Sequence, residues 1–156
     1  MSAPDGVLEM RDFPGAGDPS HLLPRRTAQN APFFAALAER RLRLQRCTAC
    51  GHARYPVAPA CPRCGCTAAG WDVLRGTGSV HSWIRYRKSY LPEFEPLMPY
   101  AVLCVAIDDG PRMFGRLAGT EADPAVGDRV RTIVERLPSG SHTIAFIVDE
   151  GGADGG

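Results

Sequence analysis

The sequence has no apolar run long enough to cross a bilayer, a span that takes roughly 20 residues as a helix. It also has almost no net charge: the formal value is +1, so no overall field draws the chain to nucleic acid or to a membrane surface. The opening MSAPDGVLEM lacks both a basic stretch and an apolar stretch, so no secretory signal is expected and a reducing cytoplasm is the expected compartment. Recognisable catalytic arrangements are missing too. His21, His52, His81 and His142 are scattered, and none stands in a nucleophile-elbow or HExxH context. Neighbouring His81 and Ser82 point to opposite faces of a strand and cannot act as a pair. Catalysis needs nucleophile, base and stabilising groups within reach of one another, so the chain is not expected to be an enzyme by itself.

The cysteines are what is present in concentrated form. The stretch CTACGHARYPVAPACPRCGC holds two Cys-x2-Cys pairs, Cys47/Cys50 and Cys61/Cys64, each followed by a glycine, Gly51 and Gly65. A two-residue gap lets one tight turn aim both sulfurs at a single metal, and four thiolates satisfy tetrahedral Zn²⁺. Past the second cysteine of each pair the chain must turn with positive φ, which glycine does without steric penalty. The rival readings, two disulfides or a redox pair, suit a secreted chain or another context. A single structural zinc is therefore expected, because four cysteine ligands leave no open coordination position. Cys66 is badly spaced for a further ligand and reads as a bystander thiol. Cys104, inside YAVLCVAI, reads as a small buried hydrophobe.

Around this centre the 156 residues suit one compact domain with a small appendage, and 17 glycines with 14 prolines favour turns and short strands. Residues 1–26 carry no sustained apolar period and read as a flexible arm. Residues 27–41 hold a short amphipathic helix, with Asn30 as its N-cap and Phe33, Phe34 and Leu37 on one side. That aromatic side packs on the chain's own body or covers a partner. Residues 42–68 form the ribbon, with RLRLQRC entering the first knuckle and Ala53 to Val57 pairing with it. In 69–149, WDVLRGTGSV and VHSWIRYRKS read as one long first strand kinked near Gly76 and Gly78. YLPEFEPLMPY reads as a loop. Two hairpins follow, turning at Asp108-Asp109-Gly110 and at Pro138-Ser139-Gly140. Five strands of this size close into an OB-fold barrel or remain an open sandwich. Residues 150–156 read as a disordered tail.

The Phe-Phe helix, the CTACG and CPRCG knuckles, the Trp-led glycine-broken strand, MPYAVLCVAIDDGPRMFGRLAG and VGDRV occur in an order that resembles the DUF35 family. The likeness covers residues 30 to 148. It implies an N-terminal helix and rubredoxin-like zinc ribbon joined to a C-terminal OB-fold, with Cys47, Cys50, Cys61 and Cys64 as zinc ligands. It further implies a non-catalytic accessory subunit of a thiolase-like enzyme that helps to bind or present acyl-CoA.

Strict alternation along HSWIRYRKSY places His81, Trp83, Arg85 and Arg87 on one face and Val80, Ser82, Ile84 and Tyr86 on the other. A ring beside guanidiniums suits the base and phosphates of CoA, which makes Trp83, Arg85, Arg87 and Lys88 candidate acyl-CoA contacts. The same chemistry suits single-stranded nucleic acid, although the low net charge is a poor footprint for it. A solvated strand face is the third reading. Phe33, Phe34, Tyr90 and Phe94 are the candidate partner contacts.

Overall fold

The computed structural model describes residues 6–149. The first part of the expected arm, 1–5, and the expected tail, 150–156, lie outside the described residues. In chain order the elements are β1 (Met10–Asp12), α1 (Ala31–Ala38), β2 (Leu42–Cys47), β3 (Ala53–Arg54), β4 (Ala69–Leu74), β5 (Thr77–Tyr86), β6 (Tyr100–Ile107), β7 (Arg112–Leu117), β8 (Arg129–Arg136) and β9 (His142–Val148). Short 3-10 helices occupy Pro19–Leu22 and Pro92–Leu97. Among the described residues no helix is long and apolar enough to cross a membrane.

Strands β5 to β9 close on themselves. The hydrogen-bonded order runs β8-β5-β6-β7-β9, and β9 returns to β8. All neighbours are antiparallel except β7 and β9. This is the OB-fold barrel, and closure leaves its five strands no open edge. Alternation fills it: Ala101, Leu103, Val105 and Ile107 of β6 point inward with Val80, Met113, Val130 and Phe146. The two hairpins fall where the turn chemistry put them.

The structure departs from the sequence reading in several places. The kinked first strand is two strands in two sheets: β4 pairs with β2 in the three-stranded ribbon sheet β3-β2-β4, and only β5 enters the barrel. The crossing is made at Gly76, whose φ is +80° and where a Cβ would stand 3.1 Å from Thr132. Glycine allows both the turn and the close approach. The arm, from Gly6 on, is folded rather than free. β1 pairs in parallel with the second half of β8, Met10 opposite Val134, while β5 holds only its first half. The arm thus continues the ladder that β5 leaves, and Leu8 sits in the main core. The proline loop contains a 3-10 helix, since Pro92 fits a first turn.

Asn30 is the N-cap of α1, as expected, but its side chain makes no capping bond into the helix and reaches back to the preceding turn. Thr27 Oγ1 accepts from the Asn30 N–H at 3.1 Å, and Asn30 Oδ1 accepts from the Thr27 N–H at 2.8 Å. This is the reciprocal arrangement of a capping box, with Asn in the place of Glu or Gln. The helix packs Phe33, Phe34 and Leu37 into the same core cluster as Leu42, Leu44 and Leu74 of the ribbon and the barrel's inward residues. Ribbon and barrel therefore share one interior.

Candidate functional site

The knuckles bring the four sulfurs together. Gly51 and Gly65 have φ of +78° and +80°, and their N–H groups each donate at 2.9 Å to the carbonyl of the first cysteine of the pair, Cys47 or Cys61. The Sγ atoms of Cys47, Cys50, Cys61 and Cys64 all lie within 4.8 Å of one another. Cys47 is 3.6 Å from Cys64, and Cys50 is 3.6 Å from Cys61. A tetrahedral site with Zn–S bonds of about 2.3 Å has sulfur–sulfur edges near 3.8 Å, whereas a disulfide needs about 2.05 Å. The cysteines are free thiols with the dimensions of a zinc site.

Electrostatics supports the same reading. Backbone N–H groups, Cys50 first and then Ala49, hold the Cys47 thiol down to about 5. Burial opposes ionisation of Cys61, but the N–H groups of Cys64 and Arg63 still lower it, the latter 3.4 Å from the sulfur. At Cys64 the Cys66 N–H favours the thiolate, yet the sulfurs of Cys47, Cys50 and Cys61 together with burial push it up to about 12. The shell favours the first thiolates and penalises the last, the position that a divalent cation relieves.

Two arginines missed in the sequence reading stiffen this centre. Arg54 is buried and donates to the carbonyls of Cys66 (2.9 Å), Ala58 (3.2 Å) and Ala68 (3.2 Å), tying down the chain that leaves the second knuckle. Arg46 is ion-paired with Asp72 and donates to Gly51 O at 2.8 Å and to Asp109 O at 2.9 Å, so it links the first knuckle to the β6–β7 turn of the barrel. The one signal in the sequence is their place in the strands flanking the first knuckle. Cys66 stands outside the four-sulfur cluster, and its carbonyl accepts from the Cys61 N–H. Cys104 is buried.

The expected open face on β5 is corrected. A bulge lies between Val80 and Ser82, and the extra residue, His81, resets the alternation. Val80, Trp83 and Arg85 now stand opposite Val105, Leu103 and Ala101, all buried. Trp83 packs against the core. The Arg85 side chain is 9% exposed and ion-paired with Asp123 at 2.6 Å. Arg87 and Lys88 remain exposed, so the four candidates do not form one surface. Phe33 and Phe34 are 6% and 7% exposed, held by the chain's own core, and show only as the lining of a small groove of about 120 Å³. Tyr90 is 72% exposed. Phe94 packs edge-on to Phe13 of the arm, ring centroids 5.6 Å apart.

Two grooves flank the proline loop at the side of the barrel. One, of about 420 Å³, is lined by Arg85, Tyr100, Arg116 and Thr120 beside the end of the proline loop. The other, of about 300 Å³, has Val102 and Phe114 in its wall together with the ion pair of Arg116 and Glu135, whose side chains are both largely buried.

A closed four-thiolate ribbon on an OB-fold barrel defines a zinc-binding ribbon–barrel protein. Residues 34–67 match the family described as ChsH2, rubredoxin-like zinc ribbon domain, and residues 71–135 match ChsH2, C-terminal OB-fold domain. A solved structure titled Ltp2-ChsH2(DUF35) aldolase contains a chain 32% identical, with a TM-score of 0.70, over 81% of this chain and 98% of that one. The chain belongs to the DUF35 family. A DUF35 protein of unknown function from Sulfolobus solfataricus, 12% identical with a TM-score of 0.58 over 83% of this chain and 92% of its own, shares the fold. A protein of Thermomonospora curvata described as a probable enoyl-CoA hydratase alpha subunit is 42% identical over 96 residues, which are 60% of this chain. The match spans 29% of that relative's length.

Proposed function

We propose that this chain is a non-catalytic accessory subunit that docks on a thiolase-fold enzyme in the cytoplasm and helps to hold an acyl-CoA substrate for it. The carrying observation is the likeness, along nearly the whole of the other chain, to a chain of the structure titled Ltp2-ChsH2(DUF35) aldolase. The metal fits the same role: four thiolates fill the coordination sphere, so zinc supplies rigidity and no substrate position. For the acyl-CoA, the groove beside Arg85 and Arg116 offers guanidinium, phenol and hydroxyl groups next to apolar Leu97 and Met98. The nucleic-acid reading relied on an open cationic and aromatic strand face, which the bulge at His81 closes.

The test is co-expression with a thiolase-fold enzyme of the same organism. Co-elution on size exclusion is expected, with acyl-CoA turnover by the complex and none by the chain alone. Turnover of a thioester by the isolated chain, or separate elution, would overturn the reading. Arg85→Ala is expected to weaken CoA-ester binding by the complex several-fold on titration calorimetry; unchanged affinity would return Arg85 to its role of bracing Asp123.

A further inference from the structure

The outward rows of β5, β6 and β7 carry an apolar surface that neither the metal centre nor the Arg85 groove uses. Strand pairing sets Ser82 beside Cys104 and Phe114, and Ile84 beside Val102 and Arg116. On the solvent side of an antiparallel sheet these alternate positions are ordinarily polar. Here Phe114 is 63% exposed and Ile84 56%, with half-buried Val102 between their strands. Toward the proline loop the surface sinks into the 300 Å³ cleft, walled by Leu22 of the arm and Phe94 of the loop. Cations stand at both ends. Arg112 lies one row beyond Phe114, and Arg87 and Lys88 follow the last residue of β5. All three are exposed, and none makes an ion pair among the described residues, Lys88 resting instead 5.5 Å from the centre of the Tyr90 ring. Arg116 is already neutralised by Glu135.

An apolar centre with unpaired cations at both ends is complementary to an apolar projection flanked by carboxylates. A second copy of this chain fits badly, because isologous packing of the face would bring cationic ends against each other. Single-stranded nucleic acid asks for successive rings on which to stack, whereas Ile84 and Val102 are aliphatic. We propose that the outer face of β5–β7 is a docking surface for a protein partner that offers an apolar anchor between acidic residues. The proposal rests on the accessory-subunit reading and names the surface it uses.

The probe is the same thiolase-fold enzyme, titrated with the zinc-loaded full chain by biolayer interferometry at low and high salt. Phe114→Asp is expected to weaken the complex by at least about thirtyfold, as loss of a central anchor does. Arg87→Glu with Lys88→Glu is expected to slow association at low salt and much less at high salt. Val126→Asp, at an exposed apolar side chain outside β5–β7, is expected to leave affinity unchanged. These side chains are all exposed, so zinc content and melting temperature should match the parent. If the parent chain binds and Phe114→Asp binds within about twofold of it, a difference far below one hot-spot residue, the surface assignment is wrong while the accessory-subunit reading stands. If the parent chain does not bind the enzyme, both are wrong. Self-association abolished by Phe114→Asp, or displacement of the enzyme by a single-stranded oligonucleotide, would also overturn the surface assignment.

Discussion

In the ribbon, three strands of two to six residues are gathered around four sulfurs; in the barrel, strands of six to ten residues close a hydrogen-bonded circuit around an apolar core. The ribbon's stability lies in metal coordination, and the barrel's in burial. Yet Leu42, Leu44 and Leu74 of the ribbon sheet belong to the barrel's own core cluster, and Arg46 links the first knuckle to the β6–β7 turn. The difference is one of cause and not of independence: the metal shapes the ribbon's tip, while the sheet behind it is held by the same interior as the barrel. The two tryptophans separate the regions experimentally. Trp71 lies in β4 of the ribbon sheet and Trp83 in β5 of the barrel, so Trp83→Phe leaves a ribbon reporter and Trp71→Phe a barrel reporter.

The largest effect should come from the metal. A structural four-thiolate site contributes on the order of 10 kcal/mol to folding, and Cys61→Ser removes a buried ligand. Loss of zinc by elemental analysis is expected, with the thermal transition reported by Trp71 shifted down further than the one reported by Trp83. Retained metal with an unchanged Trp71 transition would remove the contrast between the regions. Because Cys64 is pushed up to about 12 without metal, its thiol is protonated at neutral pH. Zinc loading must therefore release a proton, visible as buffer-dependent heat in calorimetry, and affinity must fall as pH falls.

A smaller effect should come from the seam that β1 covers. Leu8 is buried in the main core, and its N–H donates to Arg40 O at 2.8 Å. Leu8→Ala is expected to cost about 2–5 kcal/mol, with zinc content unchanged. A loss below about 0.5 kcal/mol, the range of ordinary surface substitutions, would mean that the arm is a loose appendage after all.

That arm shows where legibility in the sequence ended. The knuckles could be read because ligand spacing is a local property of one turn, and the positive φ of Gly51 and Gly65 follows from it. The barrel strands could be read because inward residues alternate, as in Ala101, Leu103 and Val105. β1 could not, since a three-residue strand has too little period to register and its partner, Val134 to Arg136, lies at the far end of the chain. The bulge at His81 was hidden for a related reason: one extra residue looks identical in the sequence, yet it brings Trp83 and Arg85 to the same side as Val80 and converts them from an expected open surface into core and brace. At Gly76 the kink was legible, but the change of sheet was not.

The smallest effect concerns the latch at the mouth of the barrel. Asp108, in the β6–β7 turn, is ion-paired with Arg129 and accepts from Thr77 Oγ1 at 2.9 Å, and Arg129 Nη1 also donates to Ser79 Oγ at 2.9 Å. The Arg129 hydrogen bond, the largest influence, holds the Asp108 carboxyl below its ordinary range against partial burial. A carboxylate with a depressed folded pKa adds stability above its unfolded pKa of about 3.9 and loses that contribution as pH falls through the folded value. Both side chains are more than a third exposed, so solvent screening limits the pair to under about 1 kcal/mol. Asp108→Asn should therefore lower stability slightly at pH 7, and the gap from the parent should close below pH of about 3.9. Acid also protonates the zinc ligands, so the comparison must be made on Trp83 alone, in the Trp71→Phe background. A gap that widens with acid in that signal would show that Asp108 stabilises the barrel as a neutral acid and that the Arg129 pair does not close its mouth.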